Sequence, residues 1–378
     1  MAIVVSDRRD RFQSSPLRHL DPLLFGAPAL LAALGALMVY ASTRHRLETQ
    51  GIDPLYYLKR QIMAIVVGVV VMVILMLIDY RRLRELSLIG YGATVLLLIA
   101  VLKFGVSVKG AQARFDVGAF QIQPAEFAKV FLTLVLAAYC TIHREEMGAR
   151  RLVVALAICA LPMGLIMLQP DLGTDLVLMA MAFTILMMAG TRARHLVVLL
   201  LLGLTFAVGA IEAGVLDQYQ IDRLTSFSNA GADARGSGYN QDQSITTIGS
   251  GGLTGSGLFN GTQTNGAQVP EQHTDFIFTV VGEELGFVGG AIVLGLFAII
   301  VWRTSRAARL AQDPFGALCC MGVLAMFVAQ VFENVGMATG IMPVTGIPLP
   351  FMSYGGSSVI VSFACIGLVG NVHMRRFS

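Results

Sequence analysis

Asp275 stands where a long polar, glycine-rich stretch gives way to an apolar run, in Pro270-Glu271-Gln272-His273-Thr274-Asp275-Phe276-Ile277-Phe278. A carboxylate at the boundary of water and hydrocarbon is costly, because desolvation either costs several kcal/mol or drives the pKa upward. Two roles would justify it. Thr-Asp at a helix start can cap orphan N–H groups, or the carboxylate can take a proton as a general base. His273 invites a dyad with Asp275, but residues two apart on a helix do not share a face. A hydrogen bond that holds the loop is the better reading for His273. Four further groups place ionisable residues at or inside apolar runs: Glu126 with Lys129, Asp171 with Asp175, Glu283 with Glu284, and Glu333 beside Asn334. Glu126 and Lys129 are three apart, hence on one helix face and able to pair. For each group alone an ion pair or a helix cap suffices. Together, three of them beside the same membrane face as Asp275 point to a shared polar cavity that opens outward.

The elements that would position these groups are set by composition. The chain has 378 residues, 55% hydrophobic and 13% charged, with mean hydropathy +0.71; soluble domains carry about 25% charged residues. Apolar runs long enough to cross a bilayer, roughly 17–25 residues, recur at 22–42, 62–78, 86–103, 125–142, 152–168, 175–190, 195–215, 276–302, 314–337 and 356–372. The expected fold is an all-α polytopic membrane protein of ten spans, a single membrane domain over residues 1–378. Lys and Arg number 17 on the side of the termini and 9 on the other, so both termini are cytoplasmic. Residues 1–21 then form a cytoplasmic tail rather than a cleaved signal peptide, and 216–275 a large extracytoplasmic loop. A connection that long is more often functional than not. Short apolar insertions in it, such as Ile245, Leu253 and Phe259, suggest that it folds back on the membrane as short amphipathic helices. The run from Phe276 to Trp302 would be about 40 Å of helix, with Gly286, Gly289 and Gly290 allowing a bend. Without Gly-Lys-Ser/Thr the glycine-rich stretch is no nucleotide loop, and no nucleic-acid partner is implied. The five cysteines lie in apolar runs without metal-ligand spacing and read as core residues. The segment 343–358, with Pro343, Pro348 and Pro350, is stiff, and irregular backbone near a membrane is tolerated only where it is buried or lines a cavity.

Gln123-Pro124-Ala125-Glu126-Phe127-Ala128-Lys129, Gln169-Pro170-Asp171-Leu172-Gly173-Thr174, Pro270 to Phe278, Gly282-Glu283-Glu284-Leu285-Gly286 and Pro348-Leu349-Pro350-Phe351-Met352-Ser353-Tyr354-Gly355-Gly356-Ser357-Ser358 resemble, in order, the signatures of the SEDS (shape, elongation, division and sporulation) family. Gly261-Thr262-Gln263 is more like the elongation member than the division member. The resemblance implies a peptidoglycan glycosyltransferase of the bacterial cytoplasmic membrane that polymerises lipid II at the outer face. It also implies a class B penicillin-binding protein as partner, with other elongation-complex proteins. In the family the aspartate matching Asp275 is essential, and the residues matching Glu126 and Lys129 are functionally important.

Chain growth joins a sugar hydroxyl to an anomeric carbon and expels a lipid diphosphate. That needs a base near the hydroxyl and positive charge near the phosphates. Asp275 is the expected base. Lys129 and Arg223 are the expected diphosphate partners, with Glu126 orienting Lys129, and Asp171, His273, Ser353 and Tyr354 lining the substrate site. A divalent cation, Mg²⁺ or Mn²⁺, held by Asp171 or the other carboxylates would suit the phosphates, although no metal motif is present. A lipid II flippase is the competing reading, and a scaffold without chemistry the third.

Overall fold

Ten apolar helices carry the chain back and forth across the membrane. The computed structural model describes residues 20–108, 111–118, 120–143, 148–212 and 237–376. Eight helices among them are long and apolar enough to span, and two are shorter. In chain order they are α1 (Pro22–Thr49), α2 (Tyr56–Leu77), α3 (Tyr80–Phe104), α4 (Pro124–Ile142), α5 (Ala149–Met167), α6 (Leu172–Met188) and α7 (Ala193–Glu212). After two non-spanning helices, α8 (Ser237–Ser250) and α9 (Thr262–Asn265), come α10 (Ile277–Arg309), α11 (Pro314–Ala338) and α12 (Gly356–Met374). Each spanning helix overlays one of the ten apolar runs. Their starts follow local chemistry. Asp21 accepts from Leu23 N and Leu24 N ahead of Pro22, and Asp313 accepts from Gly316 N ahead of Pro314, the pairing of an acidic cap with proline in the first turn that helix N-termini favour.

The architecture is a bundle built around α12, which is almost wholly buried and packs most extensively on α2, with α1, α4, α10 and α11 around it. Close approach rather than hydrophobicity drives such packing in lipid. A Cβ on Gly35 of α1, for example, would lie 2.4 Å from Met352 Cα, so only glycine lets the 343–355 segment lie against α1. Val66, Val70 and Ile74 of α2 and Leu88, Ile89 and Leu96 of α3 are exposed, as lipid-facing side chains should be. All five cysteines are free and buried. Arg303 at the end of α10 bonds Asp21 at the start of α1, and His373 at the end of α12 lies 3.9 Å from the same carboxylate. The start of α1 and the ends of α10 and α12 therefore share one face, and Asp171 and Asp275 belong to the opposite one.

Three features depart from the sequence reading. Three short strands, β1 (Val106–Val108), β2 (Ala111–Val117) and β3 (Phe120–Ile122), form antiparallel pairs on the outer face between α3 and α4, with Ser107 opposite Gln112 and Phe115 opposite Ile122. α8 is helical as expected of the long loop, but it turns Gln241, Ser244 and Thr247 inward and leaves Ile245 exposed. Gln241 donates to Met342 O (2.8 Å) and Ser244 to Ala338 O (2.7 Å), which fastens α8 to the end of α11.

The third departure matters most. α10 is not a continuous rod that bends but two helices joined at Gly286, whose φ of 66° and ψ of −164° are open to glycine alone. Residues 251–257 fill the gap. Ser256 N and Gly257 N donate to Glu283 O (2.9 Å) and Glu284 O (3.1 Å), while Phe287 N and Val288 N donate to Gly252 O (3.0 Å) and Leu253 O (3.1 Å). The backbone groups freed by the break are thereby satisfied, the condition for interrupting a helix at membrane depth. A Cβ at Gly286 would also sit 2.3 Å from Gly255 N. Gly286→Ala should therefore destabilise the protein by about 1–3 kcal/mol from backbone strain alone, with the clash adding to it. Gly295→Ala, in the same helix with open space around it, should leave the melting temperature unchanged or raise it. Melting of both purified variants in detergent checks the pair.

Candidate active site

Pro124 opens α4, and the first turns of that helix face inward. Lys129 Nζ donates to Glu126 Oε1 at 2.8 Å, with Lys129 1% and Glu126 3% exposed. Glu333 on α11 lies within Coulombic reach of both Lys129 and Asp171. Asp171 caps α6, accepting from Thr174 N (3.1 Å) on one oxygen and from Thr174 Oγ1 (2.8 Å) and Gln123 Nε2 (3.1 Å) on the other. Gln123 N in turn donates to Ser357 Oγ (3.0 Å) at the start of α12. Asp175 Oδ1 and Glu333 Oε2 are buried without a hydrogen-bond partner among the described residues. The cluster thus has acceptors to spare and Lys129 as its cation, an arrangement suited to holding hydroxyls rather than phosphates.

Asn334, next to Glu333, ties this cluster to the Asp275 loop. Its Nδ2 donates to Asp275 O and to Ile347 O, both at 2.7 Å. Asn334→Ala would strand both carbonyls, at roughly 1–3 kcal/mol for each that stays buried, and a lowered melting temperature is the expected readout.

The loop itself is a turn, not the first turn of a helix. Asp275 N donates to Glu271 O (3.1 Å), and Phe276, without a side-chain cap, takes the N-cap position of α10. Asp275 is therefore not the N-cap that the capping reading required, and it is partly exposed on the outer face. His273 is buried among aromatic rings, with centroids 4.8 Å from Tyr57 and 5.7 Å from Tyr354, and its carbonyl accepts from Tyr354 N (2.9 Å). This packing and the backbone bond tie the loop to α2 and to the segment before α12. Arg60 stands close enough to Tyr354 for its charge to act on the phenol, and it lies 4.3 Å over the Tyr56 ring. Burial pushes the Tyr354 phenol above its ordinary range, with Arg60 opposing, so it stays a neutral hydroxyl at physiological pH. Ser353 Oγ accepts from Leu349 N (2.8 Å), and its carbonyl accepts from Gln61 (3.2 Å); it shapes the segment from within.

The sequence and the fold are matched by known proteins. The family model described as "Cell cycle protein", of the FtsW, RodA and SpoVE group, matches residues 21–377. The chain belongs to the SEDS family. It is similar to stage V sporulation protein E of Bacillus subtilis, 38% identical over 93% of this chain and 96% of that one. It is also similar to the peptidoglycan glycosyltransferase MrdB of Escherichia coli, 35% identical over 95% and 94% respectively. A solved chain from work on polymerization and crosslinking by a peptidoglycan synthase complex superimposes with a TM-score of 0.79 at 33% identity, covering 95% of this chain and 99% of that one. This SEDS protein is accordingly a multi-pass protein of the cytoplasmic membrane, and the Arg-rich face that holds its described ends is the cytoplasmic one.

Of the residues expected to form the site in this SEDS protein, Glu126 pairs with Lys129, and Glu333 lies within electrostatic reach of Lys129 and Asp171. Asp275, His273, Ser353 and Tyr354 are joined through Asn334 and the aromatic cluster. Arg223 lies outside the described residues. Lys129 is buried and paired with Glu126, the residue expected to orient it. Sequence reasoning passed over Tyr57, Arg60 and Gln61. A glutamine buried at the start of an apolar span, as Gln61 is, was the available signal.

Proposed function

We propose that this chain is a peptidoglycan glycosyltransferase that polymerises lipid II at the outer face of the cytoplasmic membrane during cell elongation. The observation that carries this reading is a partly exposed Asp275 on an outer loop, held by Asn334 to a buried carboxylate–lysine cluster. Asp275 takes the proton of the acceptor C4 hydroxyl as its oxygen bonds to the anomeric carbon. The bond from that carbon to the diphosphate breaks, and undecaprenyl diphosphate leaves with the electron pair. A diphosphate is a good leaving group, so cationic donors beside it serve better than an acid. Arg60, reached through Tyr354, and Arg223 are assigned that place. Lys129 acts as a positioning residue, holding Glu126 and balancing Glu333. Among the described residues no three His, Cys, Asp or Glu side chains are grouped to hold a metal. Asp171 together with the diphosphate oxygens would hold a Mg²⁺ or Mn²⁺, which would add positive charge beside the leaving group.

The elongation role rests on Gly261-Thr262-Gln263. In the fold this triplet wraps a buried carboxylate, with Gln263 N and Thr264 N each donating to Glu283 at 2.8 Å. The structural likeness to a chain of a synthase complex supports a class B penicillin-binding protein as crosslinking partner, alongside other elongation proteins. Purified protein incubated with lipid II in detergent tests the activity. Glycan strands made where there is no membrane to cross support the polymerase; their absence, with lipid II translocated in vesicles, would support a flippase. Loss of rod shape on depletion, rather than filamentation, tests the elongation role.

A further inference from the structure

The ends of α1, α10 and α12 enclose a second polar site, far from the chemistry. A cavity of about 180 Å³ on the cytoplasmic face is lined by Asp21, Arg303, Arg306, His373 and Arg376, with Leu20 and Pro22 as its apolar wall. Its one carboxylate is already committed. Asp21 Oδ1 accepts from Leu23 N (3.1 Å) and Leu24 N (3.4 Å), and Oδ2 accepts from Arg303. Arg306 has no hydrogen-bond or carboxylate partner among the described residues, and it is exposed. His373 is 5% exposed, contacts Arg376 through Nε2, and keeps its Nδ1 buried without a partner. Burial together with Arg306 and Arg303 pushes the Arg376 guanidinium below its ordinary range, with Asp21 opposing. Among the described residues, three guanidiniums and one carboxylate line this cavity, and Arg306 is the exposed cation among them. Trp302, half exposed and 5.2 Å from the Arg303 guanidinium, stands beside it, as tryptophan does at the level of lipid headgroups.

We propose that this cavity binds the phosphate of an anionic phospholipid headgroup from the cytoplasmic leaflet. Guanidinium forks match phosphate oxygens, and basic pockets between spanning helices on this side of a membrane are suited to anionic headgroups. The apolar wall of Leu20 and Pro22 and the neighbouring Trp302 favour a lipid over a free anion. Because the site joins the first, tenth and twelfth helices, an occupied pocket stabilises the bundle.

The test is melting of the purified full-length protein in a zwitterionic detergent with added short-chain phosphatidylglycerol, short-chain phosphatidylcholine, or inorganic phosphate, at fixed ionic strength. Phosphatidylglycerol should raise the melting temperature in a saturable way and phosphatidylcholine should not. Arg306→Gln should weaken that effect by roughly tenfold or more in concentration, the loss of a charge-assisted contact, while melting as the parent does in phosphatidylcholine. An equal rise with inorganic phosphate would overturn the lipid assignment in favour of a free anion. A phosphatidylglycerol effect that survives both Arg306→Gln and Arg376→Gln would place the lipid elsewhere and overturn the site.

Discussion

Asp275→Asn is expected to remove polymerisation of lipid II by about 10²–10⁴-fold, the range by which a positioned general base accelerates a reaction, while leaving the melting temperature where it was. The substitution keeps the size of the side chain. It also leaves untouched the backbone carbonyl that accepts from Asn334, one of the bonds that hold the loop. Because Phe276 holds the N-cap position, the carboxylate is not a cap of α10, and its loss does not unravel the helix start. A structural role would show the opposite pattern, with melting lowered and residual activity scaling with the folded fraction. Strand formation in detergent and melting of the same preparation separate the two. An Asp275→Asn protein that polymerises at the parent's rate would end the assignment of Asp275 as base. Asp275→Glu serves as a second probe: it restores the carboxylate but displaces it by one methylene, so partial activity is expected, because position outranks basicity in proton transfer.

What the sequence could show about this protein is what local physics decides. Apolar run length placed all ten spans, and proline with an acidic cap marked the starts of α1 and α11. The three-residue spacing of Glu126 and Lys129 foretold their pairing. What it could not show depends on segments distant in the chain. The break in α10 exists because residues 251–257 supply partners to the carbonyls of Glu283 and Glu284 and accept from Phe287 and Val288; from the sequence, Gly286 is only one of three glycines that would allow a bend. The electrostatic reach between Lys129 and Glu333, two hundred residues on, is something no pattern within α4 predicts. The aromatic cluster around His273 draws Tyr57 from the first turn of α2 and Tyr354 from the last outer loop. β1 and β3 escaped notice because they are three residues each, whereas β2 alternates apolar and polar residues from Ala111 to Val117 and was legible as a strand.

The same distant pairing decides what Lys129→Met will do. Removing the ammonium leaves Glu126 and Glu333 buried in one cluster with no cation among the described residues beside them. Stranding a buried charge in this way costs about 3–5 kcal/mol, far more than the pair itself contributes. The single variant should therefore melt well below the parent and show little polymerisation, which on its own would not tell a structural lysine from one that touches substrate. The double variant Glu126→Gln with Lys129→Met separates them. It removes both members of the 2.8 Å pair, and neutral groups of similar size in a buried site commonly restore stability. If Lys129 serves by holding Glu126 and balancing Glu333, the double variant should recover most of the lost melting temperature and polymerise faster than the single one. A double variant that melts like the parent yet remains as inactive as Lys129→Met would show instead that the ammonium leaves Glu126 during turnover to meet the departing diphosphate, and the role of Lys129 would pass from positioning to contact.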